Sequence, residues 1–269
     1  MVRACLIDVY DTILTSRYVS RMETLISPLG IAIGDWIAAW DTMHEDRDRG
    51  RITVADSMDR TLRQLGVEPE PGLAAELARR DGELARATIR LCDDTLPFLA
   101  WLRSNGVSIA LVSNCADPTR PLLDHLGVPP LVDAMVLSCE VGSRKPYPDI
   151  YVTALEVLGV AAVDAVFIDD QPAFCAGARA VGIRALQIAR DEHRTRPSGG
   201  DFPIIHTLLE AKPLLLSPGQ RRVRGPGRLW QAREHVNWCA PACGGHRRRD
   251  HRSRGSLLPA GLPGPGDGA

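Results

Sequence analysis

Arg3-Ala4-Cys5-Leu6-Ile7-Asp8-Val9-Tyr10-Asp11-Thr12 is the stretch on which the reading of this chain turns. Arg3–Val9 is a short apolar run with little alternation, and it closes on an acid. An alternating pattern would mark a strand wet on one face. A continuous one suits a strand buried on both faces, as in a parallel sheet. Ligands of such sheets gather at the carboxyl ends of the strands, which is where Asp8 falls.

Four similar runs follow: Val107–Val112, ending in Ser113-Asn114; Asp133–Leu137; Asp164–Ile168, ending in Asp169-Asp170; and Arg184–Ile188. Helical patterns lie between them at Thr95–Ser104, Arg120–Leu126, Pro148–Leu158 and Phe174–Val181. Gly106, Gly127, Gly159 and Gly182 stand where C-terminal caps belong. This alternation predicts an α/β fold with a doubly wound parallel sheet. Residues 14–92 break the rhythm. They hold no convincing strand, and Met22–Leu29, Asp35–Met43, Val54–Leu65 and Gly72–Arg90 read as amphipathic helices. The expected partition is a core of 1–13 with 93–216, a helical cap of 14–92, and a tail of 217–269.

The formal net charge of −1 conceals an asymmetry: residues 217–269 carry +7 and the rest −8. The tail is rich in Gly, Pro and Arg. It cannot bury enough apolar surface to offset its ordering entropy, so disorder is expected. His235, Cys239, Cys243 and His246 match no standard zinc spacing. The tail arginines could attract nucleic acid by charge alone, and that is not the role favoured. No apolar run approaches the roughly 20 residues of a membrane helix, and the N-terminal run does not read as a signal peptide. Seven scattered cysteines argue against a disulfide framework and for a reducing, cytoplasmic setting. A monomer or homodimer acting on a small-molecule substrate is expected.

Three strands thus end in Asp8, Ser113-Asn114 and Asp169-Asp170, with Lys145 in the loop after another. Converging carboxylates need a cation, so Mg²⁺ is expected between Asp8 and Asp169-Asp170. Lysine would offset a nucleophilic carboxylate or a transferring phosphoryl group. Blander roles compete: Asp169-Asp170 as a helix cap, Lys145 as a solvated loop charge, Ser113-Asn114 as turn chemistry. Trp36, Trp40 and Met43 read as cap core, Arg47, Arg49 and Arg51 as solvated charges, and Cys115 as a packing residue.

Asp8-Val9-Tyr10-Asp11-Thr12 resembles the first motif of the haloacid dehalogenase superfamily, and Ser113 is similar to the second. Gly142-Ser143-Arg144-Lys145-Pro146-Tyr147-Pro148 resembles the third. Val166-Phe167-Ile168-Asp169-Asp170 with Gly177–Gly182 resembles the fourth. The resemblance covers residues 1 to about 215, and the insert matches that superfamily's helical (C1) cap. It implies a hydrolase in which Asp8 is the nucleophile and forms an aspartyl phosphate. Ser113 and Lys145 then hold phosphoryl oxygens, with Asn114 and Thr12 beside them. Asp8, the Tyr10 backbone carbonyl and Asp170 bind Mg²⁺, assisted by Asp169.

Two positions depart from that pattern. Tyr10 stands where phosphatases carry an acid–base Asp, and a phenol of pKa about 10 is a poor base. Phe174 stands where a further acid or Asn often follows the acidic pair. Tyr10 and Asn114 also fit the metal-free enzymes that cleave carbon–halogen bonds. A magnesium-dependent phosphatase is the reading adopted. A 2-haloacid dehalogenase, or a catalytically weak binding or regulatory protein, is the alternative.

Overall fold

Burial on both faces explains why the apolar runs lack alternation. The computed structural model describes residues 2–190 and 202–216. Its strands are β1 (Ala4–Ile7), β2 (Ser108–Ser113), β3 (Ala134–Leu137), β4 (Ala165–Asp169), β5 (Arg184–Ile188) and β6 (Ile204–Ile205). They form one sheet in the order β3-β2-β1-β4-β5-β6, with every pairing parallel. β1 lies at the centre, with Ile7 opposite Leu111 of β2 and Ile168 of β4. The strand order reverses there, which opens a crevice at the carboxyl ends.

Five helices precede β2 in an insert: α1 (Tyr18–Ile26), α2 (Ile33–Asp41), α3 (His44–Asp48), α4 (Val54–Gln64) and α5 (Leu73–Thr88). The core helices are α6 (Thr95–Ser104), α7 (Thr119–His125), α8 (Ser138–Val141), α9 (Pro148–Leu158), α10 (Pro172–Ala180) and α11 (Ala211–Leu216). Cys5 and Ile7 face one layer, with Phe98 and Leu102 of α6 and Leu122 of α7. Leu6 faces the other, with Ile150 and Tyr151 of α9 and Ala178 of α10. Successive residues of a strand point to opposite faces, so both faces demand apolar side chains. Truncating a buried core residue such as Phe98 to Ala costs about 3–5 kcal/mol.

The helical cap has its own apolar cluster, which includes Met22, Trp36, Trp40, Met58, Leu62 and Leu77. Trp36 and Trp40 stack at 5.9 Å, as cap core. The chain enters and leaves the cap side by side: Leu14 bridges Leu91, and Thr15 N donates to Arg90 O at 3.1 Å. No described helix is long and apolar enough to cross a membrane.

Several sequence expectations need correction. The first cap helix spans Tyr18–Ile26 and gives way to a 3₁₀ turn at Ser27–Leu29, where Pro28 cannot continue the helical ladder. The short helix α3 was not foreseen, because His-Glu-Asp-Arg-Asp holds no apolar residue to show a period. Arg47 on it is not solvated: it is 5% exposed, with its guanidinium 4.0 Å from the Trp40 ring centroid and Nη1 donating to Trp40 O at 3.2 Å. Arg51, by contrast, is an exposed charge paired with Asp46. β6 and α11 were also unforeseen. The expected disorder of 217–269 and the His235, Cys239, Cys243 and His246 set lie outside the described residues.

Candidate active site

Asp8 follows the end of β1, Ser113 ends β2 and Asp169 ends β4, so neighbouring strands deliver three polar side chains to one edge. Lys145 reaches the same point from the loop between α8 and α9. Its Nζ donates to Asp8 Oδ1 and to Asp169 Oδ2, each at 2.6 Å. The lysine and Asp169 are fully buried, and Asp8 is 6% exposed. Lys145 is therefore no solvated loop charge.

Its loop can lie this deep because of Gly177 on α10. A Cβ there would come within 2.7 Å of Pro146 O and 2.9 Å of the Tyr151 hydroxyl oxygen. Asn114 completes the mounting: its Nδ2 donates to Lys145 O at 2.9 Å, and Lys145 N donates to its Oδ1 at 2.7 Å. Both ends of the Asn114 amide are thus engaged on the Lys145 backbone. Asn114 thereby fixes the lysine's backbone.

Asp169 and Asp170 do not cap α10. The N-cap is Gln171, with no side-chain capping bond. Gln171 N donates to Asp169 Oδ1 at 2.7 Å, and Gln171 Nε2 donates to Asp170 Oδ2 at 2.5 Å. Asp169 is therefore held by Lys145 and by the Gln171 backbone. Asp170 is the acid turned toward Asp8 without the lysine. One carboxylate oxygen from each of Asp8, Asp169 and Asp170 lies within 4.8 Å of the others.

Charge in this cluster is unbalanced. Burial pushes the Asp169 carboxyl up to about 7, with Asp8 adding to the rise and Lys145 opposing it. Burial, then the charges of Asp169 and Asp8, push Asp170 well above the carboxylate range. Burial alone would lower the Lys145 ammonium, but Asp169 and Asp8 outweigh it and raise it. Three carboxylates face one ammonium, and all the convergent donors are hard oxygens. Asp8, Asp169 and Asp170 could therefore hold a hard divalent cation.

The side chains of the other expected residues show no hydrogen bond to Asp8, Lys145 or Asp169 among the described residues. Ser113 is fully buried, and among the described residues its hydroxyl makes a 3.5 Å contact with Asn114 O. The Tyr10 hydroxyl meets Thr119 Oγ1 at 3.0 Å, and burial holds the phenol far above its ordinary pKa against that hydrogen bond. Asp11 adopts φ 56°, and its Oδ1 accepts from Ser16 N at 3.2 Å. Tyr10 offers no carboxylate, and the Asp11 charge is felt by Asp170. The Thr12 hydroxyl is buried with no hydrogen-bond partner among the described residues. What steadies its loop is Arg190, whose Nε and Nη2 donate to Thr12 O at 2.8 and 2.6 Å. Asp94 orients Arg190 in turn, at 2.8 Å. Arg190 and Gln171 were missed in the sequence, where a single Arg and Gln carry no periodic or motif signal. Phe174 is a wall of the site: the Lys145 ammonium lies 4.9 Å from its ring centroid.

The family of haloacid dehalogenase-like hydrolases matches residues 2–182. Glyceraldehyde 3-phosphate phosphatase of Methanopyrus kandleri is 30% identical over 138 residues, which are 51% of this chain and 59% of that protein. The chain spans between 51% and 67% of the lengths of the first curated relatives it matches. A HAD phosphatase from Thermococcus onnurineus superposes with a TM-score of 0.58 at 25% identity, covering 80% of this chain and 98% of that one. The L-2-haloacid dehalogenase of Xanthobacter autotrophicus, with chloropropionic acid covalently bound, gives a TM-score of 0.62 at 19% identity over 81% and 100% of the two chains. At that identity the likeness is one of fold.

Proposed function

The chain belongs to the haloacid dehalogenase-like hydrolases, and from that premise we propose that it is a magnesium-dependent phosphatase of small phosphoesters. The observation that carries this reading is the trio Asp8, Asp169 and Asp170, whose oxygens lie within 4.8 Å of one another with Lys145 as the ammonium among them. A metal-free reaction on a haloacid has no use for two further carboxylates, one buried and one half-buried, beside the nucleophile. Mg²⁺ would be held by Asp8, Asp170 and the Tyr10 carbonyl, with Asp169 in support. Bound there, it would offset negative charge on the phosphoryl group as it transfers.

In this mechanism Lys145 fixes Asp8 through Oδ1, and Oδ2 attacks phosphorus. The bond from phosphorus to the leaving oxygen breaks, and an aspartyl phosphate forms on Asp8. Lys145 and Ser113 hold the phosphoryl oxygens. Water then cleaves the aspartyl phosphate and releases phosphate. Tyr10 cannot serve as base near neutral pH, and Asp11 Oδ1 is engaged by Ser16 N. Both proton transfers therefore lack the carboxylate that position 10 would supply. Substrates whose leaving groups need no protonation should be preferred, and the intermediate should accumulate as a burst.

Tyr10 favours a second reading, hydrolysis of a small 2-haloacid, with the same Asp8 displacing halide. A panel of phosphoesters and 2-haloacids, each with and without Mg²⁺, separates the two. Phosphate release that vanishes with chelator supports the phosphatase. Halide release indifferent to chelator, with no phosphate release, overturns it.

A further inference from the structure

Two thiols meet outside the Asp8–Lys145 knot. The Sγ of Cys115, which follows Asn114, lies 3.9 Å from the Sγ of Cys139 on α8. Cys115 is 5% exposed, and Cys139 is partly open to solvent. The main chain between them is already tied. Cys115 N donates to Ser138 Oγ at 2.9 Å, and that hydroxyl donates to Cys115 O at 3.3 Å. Neither thiol has a part in the mechanism above.

We propose that Cys115 and Cys139 form a reversible oxidation site for hydrogen peroxide, closing to a disulfide that slows the active site. The Cys139 thiolate attacks one peroxide oxygen. The O–O bond breaks, the departing oxygen leaves as water, and Cys139 becomes a sulfenic acid. The Cys115 sulfur then attacks the Cys139 sulfur. The S–S bond forms, the S–O bond breaks and a second water leaves. Two thiols have given up two electrons and two protons, and one hydrogen peroxide has become two waters. The order of attack suits the surroundings. The hydrogen bond from Cys115 holds Cys139 below the ordinary thiol range. The same bond and burial push Cys115 up. The reacting sulfur is thus the more accessible one, with its resolving partner behind it.

Closure has consequences on both sides. A disulfide holds its sulfurs about 2.05 Å apart, so the pair must contract by roughly 2 Å. Next to Cys115 is Asn114, which clamps the Lys145 backbone. On the other side, the Cys139 carbonyl lies against Gly50 of the cap, so close that an added Cβ would stand 2.0 Å from its oxygen. Contraction therefore shifts either the mounting of Lys145 or the seat of the cap.

The test uses the full-length protein, reduced, then exposed to hydrogen peroxide and mapped by non-reducing peptide mass spectrometry. Turnover of p-nitrophenyl phosphate with Mg²⁺ is followed in parallel. A Cys115–Cys139 linkage, a fall in turnover of about 10-fold or more and recovery with dithiothreitol are expected. Cys139→Ser should turn over like the untreated wild type and ignore peroxide. The slowing, though not the linkage, rests on the phosphatase reading. If the reduced protein has no turnover, the map and a melting temperature that shifts on oxidation in wild type but not in Cys139→Ser still support the site. The proposal is overturned if the linkage is absent, if Cys139 pairs with Cys239 or Cys243, or if the linkage forms and turnover is unchanged.

Discussion

The loops after β1 and β4 face each other across the crevice and are equipped very differently. After β4, Asp169 and Asp170 bring more negative charge than Lys145 can balance, and Gln171 fixes both acids. After β1, Asp8 stands with a buried phenol and with Asp11, whose Oδ1 accepts from Ser16 N. One side is built for binding charge, and the other carries a phenol at position 10 that is a poor group for moving a proton. The contrast teaches that charge stabilisation and acid–base help are separable parts of one site, carried by different strand ends.

The largest effect is expected at Asp8. Asp8→Asn should lower phosphoester turnover by about 10⁴-fold or more, with the melting temperature close to wild type. Residual activity near wild type would remove Asp8 from the chemistry. Tyr10→Asp should repair the poorer side and raise phosphoester turnover by up to about 10²–10⁴-fold. In a haloacid enzyme the same change adds an anion beside a substrate carboxylate and reduces halide release. Gly177→Ala should displace the Lys145 loop, costing about 1–3 kcal/mol of stability and about 10²-fold in kcat. Unchanged kcat would show that the loop has room to shift.

The smallest effect sharpens the other side. The folded protein binds protons at Asp169 and Asp170 more readily than the unfolded chain does, because burial raises both. Their joint contribution to stability therefore falls as pH rises from about 4, the unfolded value, toward 7, where Asp169 titrates when folded. Asp170→Asn should flatten that fall and raise the metal-free melting temperature near pH 7 by about 2–4 °C. Mg²⁺ should raise the wild-type melting temperature more than that of the variant. Identical pH profiles would show that the acidic pair is not under charge stress.

The sheet was legible because its strands are largely buried on both faces and read as apolar runs with little alternation. β6 escaped notice because Ile204-Ile205 is too short to form a pattern. Asp8, Lys145 and the acidic pair were legible as residue types at strand ends and in ordered motifs. Their wiring was not. Asn114 looked like a substrate contact, yet its amide is engaged by the Lys145 backbone, a pairing 31 residues apart. Arg190 reaches Thr12 O across 178 residues. Arg47 read as solvated because nothing local announces that the Trp40 ring will cover it. Long-range pairings of single polar residues leave no periodic trace, which is why this layer came from the structure.

Attack of Asp8 on phosphorus beside a bound metal is read by mixing the protein with p-nitrophenyl phosphate and Mg²⁺, quenching in acid within the first turnover, and mapping peptide masses. A phosphoryl group is expected on the peptide carrying Asp8, formed as a burst, absent with chelator and absent in Asp8→Asn. A peptide that stays unmodified while phosphate is released, or that gains a carbon ester from a 2-haloacid instead, would contradict it.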